Sequence, residues 1–260
     1  MQCSLCHKDK KLMSSHLLPA STYRKITKYE GEPSKILLIA NHTAVYSDTQ
    51  IQKPLLCHDC EELLNISGEK QICMDLAKSK TDFPLRLWFR NEKKEIIFAN
   101  PDRNEHNASQ YLYFALSVFW RAAITTWMKG YSFSGGLLGA EERVRQYLLT
   151  KDTASVFDIH LAVLINNNPR LNPQSCLPQP NENDKNNIFF VVPGIIFFAF
   201  LNNSFPEAEV LNKHGLRVVF QETDFEKFYE SSGLQKHASD VIPKGKYAED
   251  LRKSGNPISR

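Results

Sequence analysis

The chain lacks a long hydrophobic run. Its longest uncharged apolar stretch, Ile188–Leu201, has 14 residues and is split by Pro193-Gly194, against the roughly 20 that a membrane-spanning helix needs. The first residues, MQCSLCHKDK, lack the apolar stretch and small-residue cleavage pattern of a secretory signal. A soluble, cytoplasmic protein is expected. Charge of one sign is also missing: 32 Lys and Arg stand against 29 Asp and Glu, a net of +3, spread evenly. Any basic surface for nucleic acid must therefore be local. Glycine is scarce, and Gly135-Gly136 and Gly139 are not followed by the Gly-Lys-Ser/Thr of a phosphate loop. There is no internal repeat and no heptad pattern. What is abundant is core material: 42% of the residues are hydrophobic, enough to exclude bulk disorder.

Of six cysteines, four form two Cys-x-x-Cys pairs, Cys3/Cys6 and Cys57/Cys60. Two thiolates at that spacing occupy adjacent corners of a tetrahedron, and two such knuckles close a Zn²⁺ site. A disulfide framework suits a small secreted chain instead, and a redox dithiol does not normally come in duplicate. With no open coordination position, a four-cysteine zinc is structural. Cys73 and Cys176 have no such partner and read as ordinary buried thiols.

Between the knuckles, the stretch from Lys11 to Leu18 reads as a short strand, and Pro19 and Ser21 as a turn into a helix over about Thr22–Tyr29. The second knuckle starts another helix, with Asp59, Glu61 and Glu62 at its positive end. Knuckle, strands and knuckle at a helix start is the order of a treble-clef finger.

These residues resemble the HNH (His-Asn-His, ββα-metal) endonucleases. Ser15-His16-Leu17-Leu18-Pro19 stands where that family has its catalytic His and following Pro. Gln52-Lys53-Pro54-Leu55-Leu56-Cys57-His58-Asp59-Cys60-Glu61 stands where it has its Asn, second knuckle and final His. The resemblance covers about the first 65 residues. It implies a metal-dependent nuclease in which His16 takes a proton from water, Glu61 holds Mg²⁺ or Mn²⁺ and Gln52 takes the Asn position. It also implies nucleic acid as partner, DNA more than RNA. The departures are Ser15 at an acid or His position, Gln52 for Asn and Glu61 for His; fifty residues also separate Cys6 from Cys57. They support the alternative of an inactive zinc-finger module that binds nucleic acid or a regulatory protein. His16 then orders the knuckle through hydrogen bonds. His42, after Asn41, reads first as part of a turn, and His7 and His58 as solvent-facing.

Beyond about residue 80, Phe83–Arg90 and Glu95–Ala99 read as a β-hairpin with a charged tip. Alternation then places Arg86, Trp88 and Arg90 on one face. With Lys93 and Lys94 they form a candidate phosphate contact, against the plainer reading of a solvated face. A long helix is expected over about Ala108–Met128, apolar on two faces and so buried nearly all round. Its only charged residue, Arg121, needs an acceptor, either an internal ion pair or a phosphate. The run from Phe114 to Arg121 resembles a segment of zinc-knuckle proteins of bacterial mobile and defence loci, which identifies no activity; a bacterial defence or toxin effector is the biological setting expected for the nuclease or its inactive alternative.

A shorter helix is expected over about Ala140–Leu149. Strands follow at Val156–Ile165, Ile188–Val192, Ile195–Leu201 and Leu216–Gln221, with a loop over Asn166–Asn187. Thr223-Asp224-Phe225-Glu226 reads as a capping box for a last helix. The fold class is α+β: a zinc module over 1–80, a helix-plus-antiparallel-sheet domain over 81–233, and a polar tail over 234–260 whose lysines contact a partner only loosely.

Overall fold

A computed structural model describes residues 1–31, 37–40, 43–46, 50–129, 131–234 and 241–254. His42 and the last residues, with Arg260, lie outside them. In the N-terminal part, β1 (Leu12–His16) precedes α1 (Ala20–Thr27), β2 (Leu37–Ala40), β3 (Thr43–Tyr46), β4 (Gln52–Cys57) and α2 (His58–Leu64). β1 and β4 are antiparallel, with Leu12 opposite Cys57 and His16 opposite Gln52. A π-helical turn, Asn65–Glu69, leads into α3 (Lys70–Asp75) and then α4 (Pro84–Asn91).

The remainder is built on α5 (Ala108–Ile124), in which every residue from Tyr111 to Ala122 is buried. The two apolar faces read from the sequence are both used. One face meets a six-stranded sheet of β5 (Ile96–Ala99), β10 (Val218–Thr223), β6 (His160–Asn166), β9 (Ile195–Phe200), β8 (Asn187–Val192) and β7 (Cys176–Pro180), in that order. Only the β10–β6 pair is parallel. Alternation sorts the phenylalanines: Phe190, Phe197 and Phe220 point inward to α5, while Phe189 and Phe198 point outward. The outer face packs under α8 (Phe225–Ser231), through Phe225 and Phe228. Covering on both faces is why these strands read as unbroken apolar runs. Two further helices, α6 (Glu141–Thr150) and α7 (Ala208–Lys213), complete the fold.

Several expectations are corrected. Residues 84–91 are a helix, not a strand: Pro84 sits at the first helical position, where its missing N–H costs nothing. Leu85 and Phe89, four apart, bury one side. Arg86 is 8% exposed and donates to the Lys80 carbonyl at 2.7 Å. Arg90 pairs with Glu222 at 2.6 Å. The Arg86–Trp88–Arg90 face therefore does not exist: Arg90, though exposed, is held by Glu222, and Lys93 and Lys94 are exposed. The other half of the expected hairpin, β5, pairs with β10 instead.

The stretch 166–187 is not a plain loop, because it contains β7 along β8. The cap of α8 is Asp224 rather than Thr223; its side chain accepts from the N–H of Glu226. The C-terminal stretch is structured in part: β11 (Ile242–Pro243) runs parallel to β3. After it, the helix Gly245–Lys253 lays Tyr247 against Tyr46, with ring centroids 5.3 Å apart. Finally, Leu5, Leu17, Leu56 and Leu64 belong to the same continuous core as Phe114 and Phe190. The boundary expected near residue 80 runs through that core.

Candidate metal centre and neighbouring polar groups

The first knuckle is a tight turn in which His7 N–H donates to the Cys3 carbonyl at 2.9 Å and His7 adopts φ +57°. The second is the start of α2, with Cys57 as its N-cap residue. The antiparallel pairing of β1 with β4 brings the two together. The four sulfurs of Cys3, Cys6, Cys57 and Cys60 lie within 4.8 Å of one another, close enough to hold one metal ion. Zn–S bonds of about 2.3 Å place sulfurs about 3.8 Å apart, and Cys6 and Cys57 Sγ are 3.8 Å apart. Cys57 N–H also donates to Cys3 Sγ at 3.2 Å. Burial raises the pKa of Cys3, but N–H groups of Cys6, Cys57 and Leu5 outweigh it and leave the thiol at about 7. Burial pushes the Cys60 thiol up. A shared cation compensates the thiolates that burial disfavours. The donor set thus fits zinc.

The residues expected to be catalytic do not converge. Alternation along β1 sends Ser15 and His16 to opposite sides. Ser15 is fully buried; its hydroxyl donates to the Glu61 carboxylate and accepts from Leu56 N–H at 3.1 Å. His16 is half-buried, and its Nε2 stands 2.7 Å from Gln50 Oε1. A carbonyl oxygen only accepts, so Nε2 donates and the lone pair of the neutral ring is on Nδ1. Gln52 is exposed and accepts from Ser14 Oγ at 3.1 Å. It does not orient His16; Gln50 does, a residue that the sequence reading passed over.

A second, hard cation at Glu61 is not fitted by these residues. That carboxylate is engaged by a buried hydroxyl. Among the described residues the four cysteines are the only gathering of three or more His, Cys, Asp or Glu side chains. Arg121 proves to hold an internal ion pair, with Nη2 2.7 Å from Glu69.

The structure also shows a basic cleft that the sequence did not announce. It is a solvent-open cleft of about 940 Å³ between α1 and residues 78–82, with Arg24, Lys25 and Lys28 on one wall and Lys78 and Lys80 on the other. No helix among the described residues is long and apolar enough to cross a membrane. No protein-family model matches the chain, and no curated protein or solved structure matches it.

Proposed function

We propose that the protein is a nucleic-acid-binding module of treble-clef type, scaffolded by a Cys₄ zinc, that has the outline of an HNH nuclease without its catalytic metal. The observation that carries this reading is the buried hydrogen bond from Ser15 to Glu61. These two residues stand where the resembling enzymes hold their hard cation, and here they are joined to each other and to the Leu56 N–H. The position serves to tie α2 to the β1–β4 pair. The zinc site beside it keeps its scaffold role, and α1, which carries the cationic wall, begins four residues after His16.

The test uses the zinc-loaded chain with labelled DNA and RNA oligonucleotides. Binding without cleavage in Mg²⁺ or Mn²⁺ is the expected result. Absence of binding to every oligonucleotide overturns the reading.

One observation favours a second reading, hydrolysis of phosphodiesters. Gln50 fixes the His16 ring with Nδ1 as the basic nitrogen, the arrangement of an oriented general base. Cleavage by the wild type that His16→Ala abolishes establishes this second reading; equal products from both remove it.

A further inference from the structure

We infer that the cleft between α1 and residues 78–82 binds the phosphate backbone of a nucleic-acid strand. This rests on the nucleic-acid reading above and names the surface that does the binding.

Five cations from two parts of the chain line this cleft. Two acids reach the cleft, and both are engaged by the far wall: Lys78 pairs with Asp82 at 3.2 Å and Lys80 with Glu30 at 3.3 Å. Among the described residues, no carboxylate stands within ion-pair distance of Arg24, Lys25 or Lys28. The dipole of α1 accounts for cations in its last turn. It does not account for two lysines brought opposite them from another part of the chain. Lys25 records the crowding: burial lowers its pKa first and the charge of Lys78 lowers it further, against smaller upward pulls from Asp82 and Cys73. A bound anion relieves both.

The far wall is built in advance. Lys78 N–H and Ser79 N–H both donate to the Asp82 carbonyl, at 2.8 and 3.3 Å. Asp82 N–H returns a bond to Ser79 Oγ at 2.9 Å. From beneath, the buried Arg86 guanidinium holds the Lys80 carbonyl at 2.7 Å. A strand meets a loop whose ordering cost is already met by these bonds. The volume, about 940 Å³, lies in the roughly 300–1,000 Å³ range of ligand sites, room for more than one phosphate.

The experiment is fluorescence anisotropy on the full zinc-loaded chain with a labelled single-stranded oligodeoxynucleotide over a salt series. The combined variant Arg24→Gln, Lys25→Gln, Lys28→Gln is expected to bind at least about tenfold more weakly at low salt. Its log–log salt slope should be shallower by about 2, since each neutralised phosphate of a single strand contributes about 0.7. A control with equal charge removal from exposed lysines elsewhere, Lys185→Gln, Lys213→Gln, Lys227→Gln, should leave the slope unchanged. Inorganic tripolyphosphate should displace the oligonucleotide from wild type. Wild-type-like affinity and slope in the cleft variant overturn the inference while leaving the nucleic-acid reading intact. Calorimetric tripolyphosphate binding that the cleft variant loses, with oligonucleotide binding unaltered, makes this a site for small phosphates and also overturns it. A wild type that binds no oligonucleotide defeats the nucleic-acid reading and the inference with it. Circular dichroism checks that the variant is folded.

Discussion

Arg121 on α5 and Glu69 at the end of the π-helical turn form a buried ion pair, Nη2 to carboxylate 2.7 Å, with the Arg121 side chain 1% exposed. The same guanidinium donates through Nη1 to the His16 carbonyl at 2.9 Å and through Nε to the Ser117 carbonyl at 3.2 Å. One side chain thus joins the central helix, the end of β1 and the segment after the second knuckle. A buried pair contributes little over a well-packed apolar substitute, but breaking one partner strands a charge.

Arg121→Leu is therefore expected to lower stability by about 3–5 kcal/mol, because it leaves both Glu69 and the His16 carbonyl without a donor. The double variant Arg121→Leu, Glu69→Leu should recover part of the loss. Urea unfolding of the two measures it. Near-wild-type stability of the single variant would show that water enters and replaces the pair.

Metal removal should act on the whole chain. The sequence suggested a separate zinc module over 1–80, but Leu5, Leu17, Leu56 and Leu64 share a core with Phe114 and Trp120. Arg145 of α6 also donates to the Leu5 carbonyl at 2.6 Å. Since metal binding free energy is folding free energy here, chelation or Cys57→Ser should lower a single midpoint. It should be seen equally by far-ultraviolet circular dichroism and by the fluorescence of Trp88, Trp120 and Trp127. A tryptophan transition that does not move would separate the two parts.

Gly194, at the turn between β8 and β9, has φ +83°, and an added Cβ would meet Phe83 Cζ at 2.8 Å and Ala77 Cβ at 2.9 Å. Strain from the positive φ adds to overpacking against a buried ring. Gly194→Ala should cost about 2 kcal/mol or more, read as a lowered thermal midpoint. Gly139→Ala is the comparison: it shares a positive φ but has nothing within 4 Å, and should cost less.

The legible parts of the fold were those set by local pattern over enough residues. The two apolar faces of α5 gave its burial, the Cys-x-x-Cys spacing gave the four cysteines that could hold a metal, and Pro193-Gly194 between apolar runs gave the β8–β9 hairpin. The helix α4 was hidden because Leu85-Arg86-Leu87-Trp88-Phe89-Arg90 alternates like a strand; Pro84 before it was the available signal. The basic cleft was illegible for another reason. Arg24, Lys25 and Lys28 are ordinary on a helix surface, and their significance comes from Lys78 and Lys80, which only the tertiary fold sets opposite. Likewise, the Ser15–Glu61 bond depends on how α2 packs behind β1, which spacing alone does not determine.

The last prediction concerns acid. His160 opens β6, is 1% exposed and stacks on Phe205 with centroids 5.5 Å apart. Neither ring nitrogen makes a well-formed hydrogen bond, and Asn212 is its one weak polar neighbour. Burial first, and then the charge of Arg217, lower its pKa to about 4, against the weaker upward pull of Asn212 and Asp158. The unfolded chain binds a proton at this residue below about pH 6.5, while the folded chain resists until about pH 4. Between those values the unfolded state holds more protons, so stability falls as pH falls. The full effect, about 3 kcal/mol, is reached once both states are protonated. Asp75, whose buried carboxyl is held above the ordinary range, contributes a slope of the opposite sign. The informative quantity is therefore the difference between wild type and His160→Leu. Unfolding free energies of the two, measured between pH 7 and pH 4, should show the wild type losing stability relative to the variant, because only the wild type carries the penalty of charging a buried imidazole. Parallel curves would mean that His160 takes up its proton without cost, through water or a movement of Asn212.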